Sequence, residues 1–496
     1  MEKTIEKTCR YLVASDLHLE RVPSHSSHAL NFDQDLADML AHHGCLAPGS
    51  ISWKLIFNGD FIEFDDLEQP ENLSLVESRR RETGLLGFDH IPEGDWRTPA
   101  RKLNAILASH ALLLKTLAAF LAQGHEIIFI RGNHDLELCW GPVQEELRLL
   151  IASGCPAGLA AGSMDRLVRE NIRFVPWFYF EPGLLYIEHG NQYDEYASNA
   201  HNLYPFSLGD KPRVELPLAS LYMRYFSSRI EGHNPDILAK RRALFPYLGC
   251  LVRSNWMNLP KIPLYYVQVV YQALNQLRNR DGLRLSMTEE IERRMLQDIQ
   301  RSSGLSYRTL LALRALAQSP ALDGWIHWIR CSFLDLTLGL LLNLSVAVAL
   351  LIFGHELEQF HLLVSTCALL AALSVSRGKQ RAKTAVAHSR FKDIARRIAA
   401  LTGARYIVFG HSHQTDIASW RLPRRQEATY LNLGCWAPFE ANCFCYLLID
   451  PLKKSRTGLM RWDARSRQPA TLSATPSPVP QAKATLRRLF HKNSGR

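Results

Sequence analysis

The sequence predicts an α/β fold of layered sheets interrupted by a large helical insertion. Three observations carry that expectation. Five short apolar runs each stop on side chains able to ligate metal or move protons; helix-period patterns separate the first three runs; and about two hundred residues of mostly helical pattern separate the fourth from the fifth. The runs are Tyr11–Ser15 into Asp16-Leu17-His18, Leu55–Asn58 into Gly59-Asp60, Ile127–Ile130 into Arg131-Gly132-Asn133-His134-Asp135, Leu184–Glu188 into His189-Gly190, and Tyr406–Phe409 into Gly410-His411-Ser412-His413. Parallel and mixed sheets open their binding crevice at the carboxyl ends of strands, so residues distant in sequence can converge there.

Taken in order, the first strand enters a helix whose Phe32, Leu36, Met39 and Leu40 recur at helical spacing before Gly44 stops it, making a crossover to the second strand. Residues 61–97 lack periodicity and read as a long loop at the rim of the site. Thr98-Pro99 opens one helix with an apolar face of Leu103, Ile106, Leu107, Leu113, Leu114, Leu117 and Leu121, ended by Gly124. Beyond His189, amphipathic helices are expected over Leu216–Ile230, Pro263–Leu277 and Thr309–Ala317, with a capping box at Ser286-Met-Thr-Glu289 opening another.

The insertion also holds two uncharged runs, Leu336–Phe353 and Phe360–Ser376, on either side of a loop carrying Glu356 and Glu358. At helical rise each run reaches roughly 26 Å, slightly short of a bilayer core. Arg330 precedes them, and Arg377, Lys379, Arg381 and Lys383 follow, the charge bias of a membrane hairpin with both ends cytoplasmic. Asp335 and Asn343 count for the competing readings, a buried helix pair or a hairpin lying in one leaflet.

Composition bounds the rest. The chain of 496 residues carries 58 Lys+Arg against 48 Asp+Glu, and its net charge of +10 favours an anionic partner. Ten scattered cysteines without a C-x-x-C indicate neither a zinc ribbon nor a disulfide framework and suggest reduced thiols. The first residues show no apolar signal region, so the catalytic part is expected in the cytoplasm. Interleaved aromatic and basic patterns for single-stranded nucleic acid are not evident.

The ordered set Asp16-x-His18, Gly59-Asp60, Gly132-Asn133-His134-Asp135, His189-Gly190 and Gly410-His411-x-His413 resembles the calcineurin-like metallophosphoesterase family. The resemblance covers about Tyr11–Gly190 and Arg405–Asp450. It implies a layered α-β-β-α sandwich in two parts, 1–200 and 378–460. The general family pattern does not explain the insertion, which the residue patterns alone divide into a helical lid over 201–330 and a membrane-inserted hairpin over 331–377, and composition makes 461–496 a disordered basic tail. The resemblance also implies a two-metal site. Asp16, His18 and His413 would hold one ion, Asn133, His189 and His411 the other, and Asp60 would bridge them. Nitrogen and oxygen donors without thiolate suit Mn²⁺, Fe or Zn²⁺, with Mn²⁺ the first choice. Two such ions activate a bridging hydroxide for in-line attack on phosphorus. His134 would contact the phosphoryl group or protonate the leaving oxygen, Asp135 would fix its tautomer, and Arg131, Asn133 and His134 would face the substrate.

Gly59-Asp60-Phe61-x-Glu63, the helical insertion and Leu433-Gly434-x-Trp436 look like the UDP-diacylglucosamine diphosphatase branch, which implies a membrane-associated phosphohydrolase acting on a phosphate or pyrophosphate ester of a lipid-linked sugar nucleotide. The insertion here is longer, and His134 stands where that branch often carries arginine. The alternatives are a cyclic-nucleotide or nucleic-acid phosphodiesterase and a non-catalytic membrane scaffold on a phosphoesterase core. Outside the motifs, Asn191, Gln192 and Asp194 read equally as substrate contacts or turn residues, Glu63, Asp65 and Asp66 as a solvated acidic loop, and His25 and His28 as loop residues.

Overall fold

The computed structural model describes residues 9–20, 28–47, 51–65, 96–207, 212–231, 261–278, 282–331, 368, 390–422, 427–436, 444–451 and 457–472. The expected membrane hairpin (residue 368 apart), the tail beyond Leu472, Asp66 and most of the 61–97 loop lie outside these residues.

The strands, in chain order, are β1 (Arg10–Ala14), β2 (Trp53–Asn58), β3 (Glu126–Ile130), β4 (Ile172–Val175), β5 (Phe178–Glu181), β6 (Leu185–Glu188), β7 (Phe206–Ser207), β8 (Arg213–Val214), β9 (Tyr406–Phe409), β10 (Thr415–Arg421), β11 (Glu427–Leu433), β12 (Cys445–Ile449), β13 (Gly458–Asp463) and β14 (Gln468–Thr471). They form a mixed α/β fold with two main sheets. The larger runs β14-β13-β12-β1-β2-β3-β4, and the smaller β10-β11-β9-β6-β5. In the larger sheet β1 to β4 are mutually parallel. In the smaller sheet β9 is parallel to both β6 and β11. Such strands are covered on both faces, which is why they read as unbroken apolar runs.

Alternate residues show what covers each face. Val13, Ile56, Ile128 and Ile130 of the larger sheet share a buried cluster with Leu185, Ile187, Val408 and Leu431 of the smaller one. Leu12, Leu55, Phe57, Ile127 and Phe129 point the other way and pack with Leu36, Leu103, Leu117 and Leu147 from helices. On the far face of the smaller sheet, Phe178, Tyr186, Ile407, Phe409 and Tyr430 pack with Leu296, Leu310, Leu313 and, from a helix over 390–402, Ile394 and Ile398. The insertion therefore divides. Gly282–Ser303 and Tyr307–Arg314 join the layer behind the smaller sheet. Leu218–Tyr222, Ile262–Arg278 and Trp325–Cys331 form a separate cluster that reaches Leu136, just after the third strand-end motif.

Two helix expectations need correction. The single helix expected from Thr98 to Gly124 is two, Arg97–Leu107 and Ala111–Ala122, which meet at 97°. Buried His110 stands at the corner: its Nδ1 lies 2.8 Å from Asp33 Oδ1, and Asp33 Oδ2 accepts the Leu113 N–H at 3.2 Å. Asp33 thus takes up an N–H of the second helix's first turn that a straight helix would have paired internally. Ser286 opens no helix, because that helix already begins at Gly282. The hydroxyl cap occurs at Ser306, whose Oγ accepts from Thr309 N at 3.1 Å. Among the described residues no single helix is long and apolar enough to cross a membrane, and the bent pair belongs to the buried core.

Phe129 is 1 % exposed and stacks between Phe57 and Phe174, at centroid separations of 5.2 and 5.3 Å. Phe129→Ala should lower unfolding stability by about 3–5 kcal/mol, measured by urea denaturation; a loss below about 1 kcal/mol would contradict this account of the core.

Candidate metal centre

The five strand-end motifs converge on one pocket. Asp16 and His18 follow β1, Asp60 follows β2, Asn133 follows β3, His189 follows β6, and His411 and His413 follow β9. To aim side chains back across the strand ends, the chain turns sharply, and non-glycine residues take the left-handed conformation at Asp16 (φ 55°), His18 (46°), Asp60 (51°), His411 (61°) and His413 (54°). Each such turn costs on the order of 1–3 kcal/mol and persists only where its surroundings enforce it. Glycines open the space these turns require. A Cβ on Gly132 would lie 2.1 Å from Asp60 Oδ1, one on Gly59 2.3 Å from His189 Nδ1, and one on Gly410 1.9 Å from Ser15 Oγ.

Two triplets of ligand atoms result, Asp16 with His18 and His413, and Asp60 with His189 and His411, each within 4.8 Å of one another. Asp60 reaches both groups: its Oδ2 lies 3.0 Å from His189 Nε2 and 3.8 Å from His18 Nε2. Asn133 Oδ1 is 3.3 Å from His189 Nε2. The outer ring nitrogens decide which atoms face inward. His189 Nδ1 lies 2.9 Å from the Asn58 carbonyl, and His18 Nδ1 lies 2.9 Å from Glu63 Oε2, so in the neutral rings both Nδ1 atoms carry the proton. The inward Nε2 of His189 then presents a lone pair to Asp60 and Asn133 oxygens, and that of His18 presents one to His413 Nε2 at 3.1 Å. Such an array is satisfied by a proton or by a metal cation, and a ring N–H held by a carbonyl or carboxylate is the usual support of a metal-bound histidine. The donor set is one that could hold metal ions.

The electrostatics agree. Burial alone would push the Asp60 carboxyl up, but the charges of His189 and His134 outweigh it and hold it well below the usual range. Burial would lower His189, yet Asp60 and Asp16 raise it to about 9. A pocket that draws protons onto its own histidines is one that favours positive charge.

Several readings change. Glu63, expected as a solvated acidic residue, is 5 % exposed and joins His18 to His134, whose Nδ1 lies 3.0 Å from its Oε1. Asp65, also expected in solvent, is buried and pairs with Arg224 Nε at 2.7 Å. Asp135 does not set the tautomer of His134. Its oxygens accept the backbone N–H groups of Phe61 (2.9 Å) and Gly132 (2.6 Å), tying the second and third motifs together, and burial with the charge of Asp60 raises it to about 7. Glu63 takes that role toward His134, with the Asp65 carboxylate 3.4 Å from the same nitrogen. Arg131 is not on a substrate rim; it is buried, and its guanidinium donates to the carbonyls of Pro176, at 3.2 Å, and Asn202.

Asp194 does reach the centre, with Oδ2 3.1 Å from His411 Nε2, whereas Asn191 and Gln192 make local turn contacts to Ala197 and Asn202. Arg224, contributed by the insertion, went unnoticed in the sequence. It lies in a π-helical turn, Met223–Ser227, and also contacts Glu137. Comparison of the chain with protein-family models and with curated proteins returns no match.

Gly132→Ala should weaken Mn²⁺ binding by at least about tenfold by titration calorimetry, the scale on which disturbed metal-site support acts. Gly141→Ala, where a Cβ would meet nothing within 4 Å, should leave it unchanged. Equal affinities would show that the Gly132–Asp60 contact does not shape the centre.

Proposed function

We propose that the chain is a dimetal phosphohydrolase of the calcineurin-like kind, acting on a phosphate or pyrophosphate ester. The observation that carries this reading is Asp60, set between two histidine and aspartate groups with its Oδ2 facing both. The packing of helices, sheet, sheet and helices supports the same reading at the level of the fold. When bound, two divalent ions lower the pKa of water and neutralise phosphoryl oxygens.

The chain's residues supply the rest. Asp16, His18 and His413 would hold one ion, Asn133, His189 and His411 would hold the other, and Asp60 would serve both. His134 is the proton donor. Burial would lower its pKa, but Glu63 and Asp60 raise it well above the ordinary histidine range. With Nδ1 committed to Glu63, Nε2 carries the transferable proton to the leaving oxygen. Asp65 and Arg224 support that pair from behind. No protein nucleophile is required.

With Mn²⁺ and a chromogenic phosphodiester, Asp60→Ala and His134→Ala should each reduce kcat/KM by about 10² or more, and chelation should abolish turnover. Equal turnover by all three proteins would refute the reading.

The lipid-linked substrate and the membrane rest on the uncharged runs Leu336–Phe353 and Phe360–Ser376 with their basic flanks, which would leave the catalytic part on the cytoplasmic side. A chain lacking 336–376 should leave the membrane pellet on fractionation; retention there would show that these runs are not the anchor.

A further inference from the structure

The structure places a third cluster of ligating side chains away from the centre described above. Glu195 Oε2 lies 3.9 Å from His327 Nε2, and that nitrogen lies 3.8 Å from Cys331 Sγ, with all three ligand atoms within 4.8 Å of one another. His327 and Cys331 stand four residues apart on the helix Trp325–Cys331, so their side chains share one face. Glu195 comes from the loop that leaves His189 and carries Asp194 to His411. We infer that Glu195, His327 and Cys331 form a single-ion site for Zn²⁺ that clamps this loop to the insertion.

The chemistry favours zinc specifically. One thiolate, one imidazole and one carboxylate, with bonds of about 2.0–2.3 Å, make a three-ligand tetrahedral set that leaves the fourth position to water. The thiol proton leaves to solvent as the metal–sulfur bond forms, and the thiolate and carboxylate together neutralise the dication. That balance matters because Cys331 is 2 % exposed. Glu195 and His327 are only partly covered, which gives the ion a way in.

The surroundings are built for a clamp. The loop is already stitched to the insertion by main-chain hydrogen bonds, Ala321 N to Glu195 O at 2.7 Å, Gln318 N to Gln192 O at 2.8 Å and Ala219 N to Tyr196 O at 2.9 Å. A metal joining Glu195 to the helix that follows fixes the side-chain end of the same junction. Asp194, the neighbouring residue, is the one that meets His411.

The test does not depend on phosphoesterase activity. Titration of the metal-free full chain with Co²⁺ should produce a thiolate-to-cobalt charge-transfer band, which the histidine, aspartate and asparagine centre cannot give because it contains no sulfur. The band should persist in Asp60→Ala and vanish in Cys331→Ser. Because Cys331 is buried, the partly exposed positions supply a second arm: His327→Ala and Glu195→Gln should each weaken the Co²⁺ affinity read from that band by at least about tenfold. Absence of the band from the folded parent, its survival in Cys331→Ser, its loss from folded Asp60→Ala, or unchanged affinity in both partly exposed variants would each overturn the site.

Discussion

The constraint on which the pocket depends is the placement of one buried carboxylate between two groups of histidines. Asp60 is 1 % exposed, accepts the His134 backbone N–H at 2.8 Å through Oδ1, and turns Oδ2 toward two imidazoles. A buried charge is tolerable only when paired, and here the charges of His189 and His134 pair it. Gly132 and Gly59 lack side chains where Asp60 and His189 pass, and the strained turns at Asp16, His18 and His411 bring their donors to the same spot. The architecture of two packed sheets matters because it supplies this spot with strand ends from both.

A second group of contacts extends the pocket into the insertion. Arg224 approaches Asp65, Asp65 and Glu63 face His134, and Ser220 Oγ donates to the Asn133 carbonyl at 3.2 Å. Ser220 and Arg224 come from Leu218–Tyr222 and the π-helical turn after it, a widened turn of the kind often found at functional positions. The part of the insertion nearest the site is therefore bonded into it, whereas the helices at 282–314 serve the smaller sheet instead. One inserted segment of sequence performs two structural tasks.

How much of this could be read in advance depended on the kind of signal. The strand ends were visible because continuous apolar runs stop abruptly on Asp, His and Asn, a pattern that needs no partner to recognise. Asp16, His18, Asp60, Asn133, His189, His411 and His413 all came from it. Glu63 and Asp65 were misread because isolated acidic residues in a loop are ordinarily solvated. Asp65 is paired by Arg224, 159 residues further on, and Glu63 by His18 and His134 from two other motifs. Only the Gly-Asp-Phe-x-Glu spacing hinted at Glu63. Asp135 was assigned by adjacency to His134, but a carboxylate next in sequence turned to backbone N–H groups across the loop instead. The corner at His110 was hidden because the leucines keep helical period through it, and its cause, Asp33, belongs to another helix.

The order of strands in the larger sheet has a kinetic consequence. β1 lies between β2, which follows it closely, and β12, which arrives only after the insertion. His18 and His413 are 395 residues apart in sequence. A chain emerging from the ribosome can therefore pair its early parallel strands long before the second half of the pocket exists, and closing so distant a contact is intrinsically slow. The candidate ligand groups are divided in the same way, since Asp16 and His18 are made early and His413 late, as are Asp60 and His189 against His411.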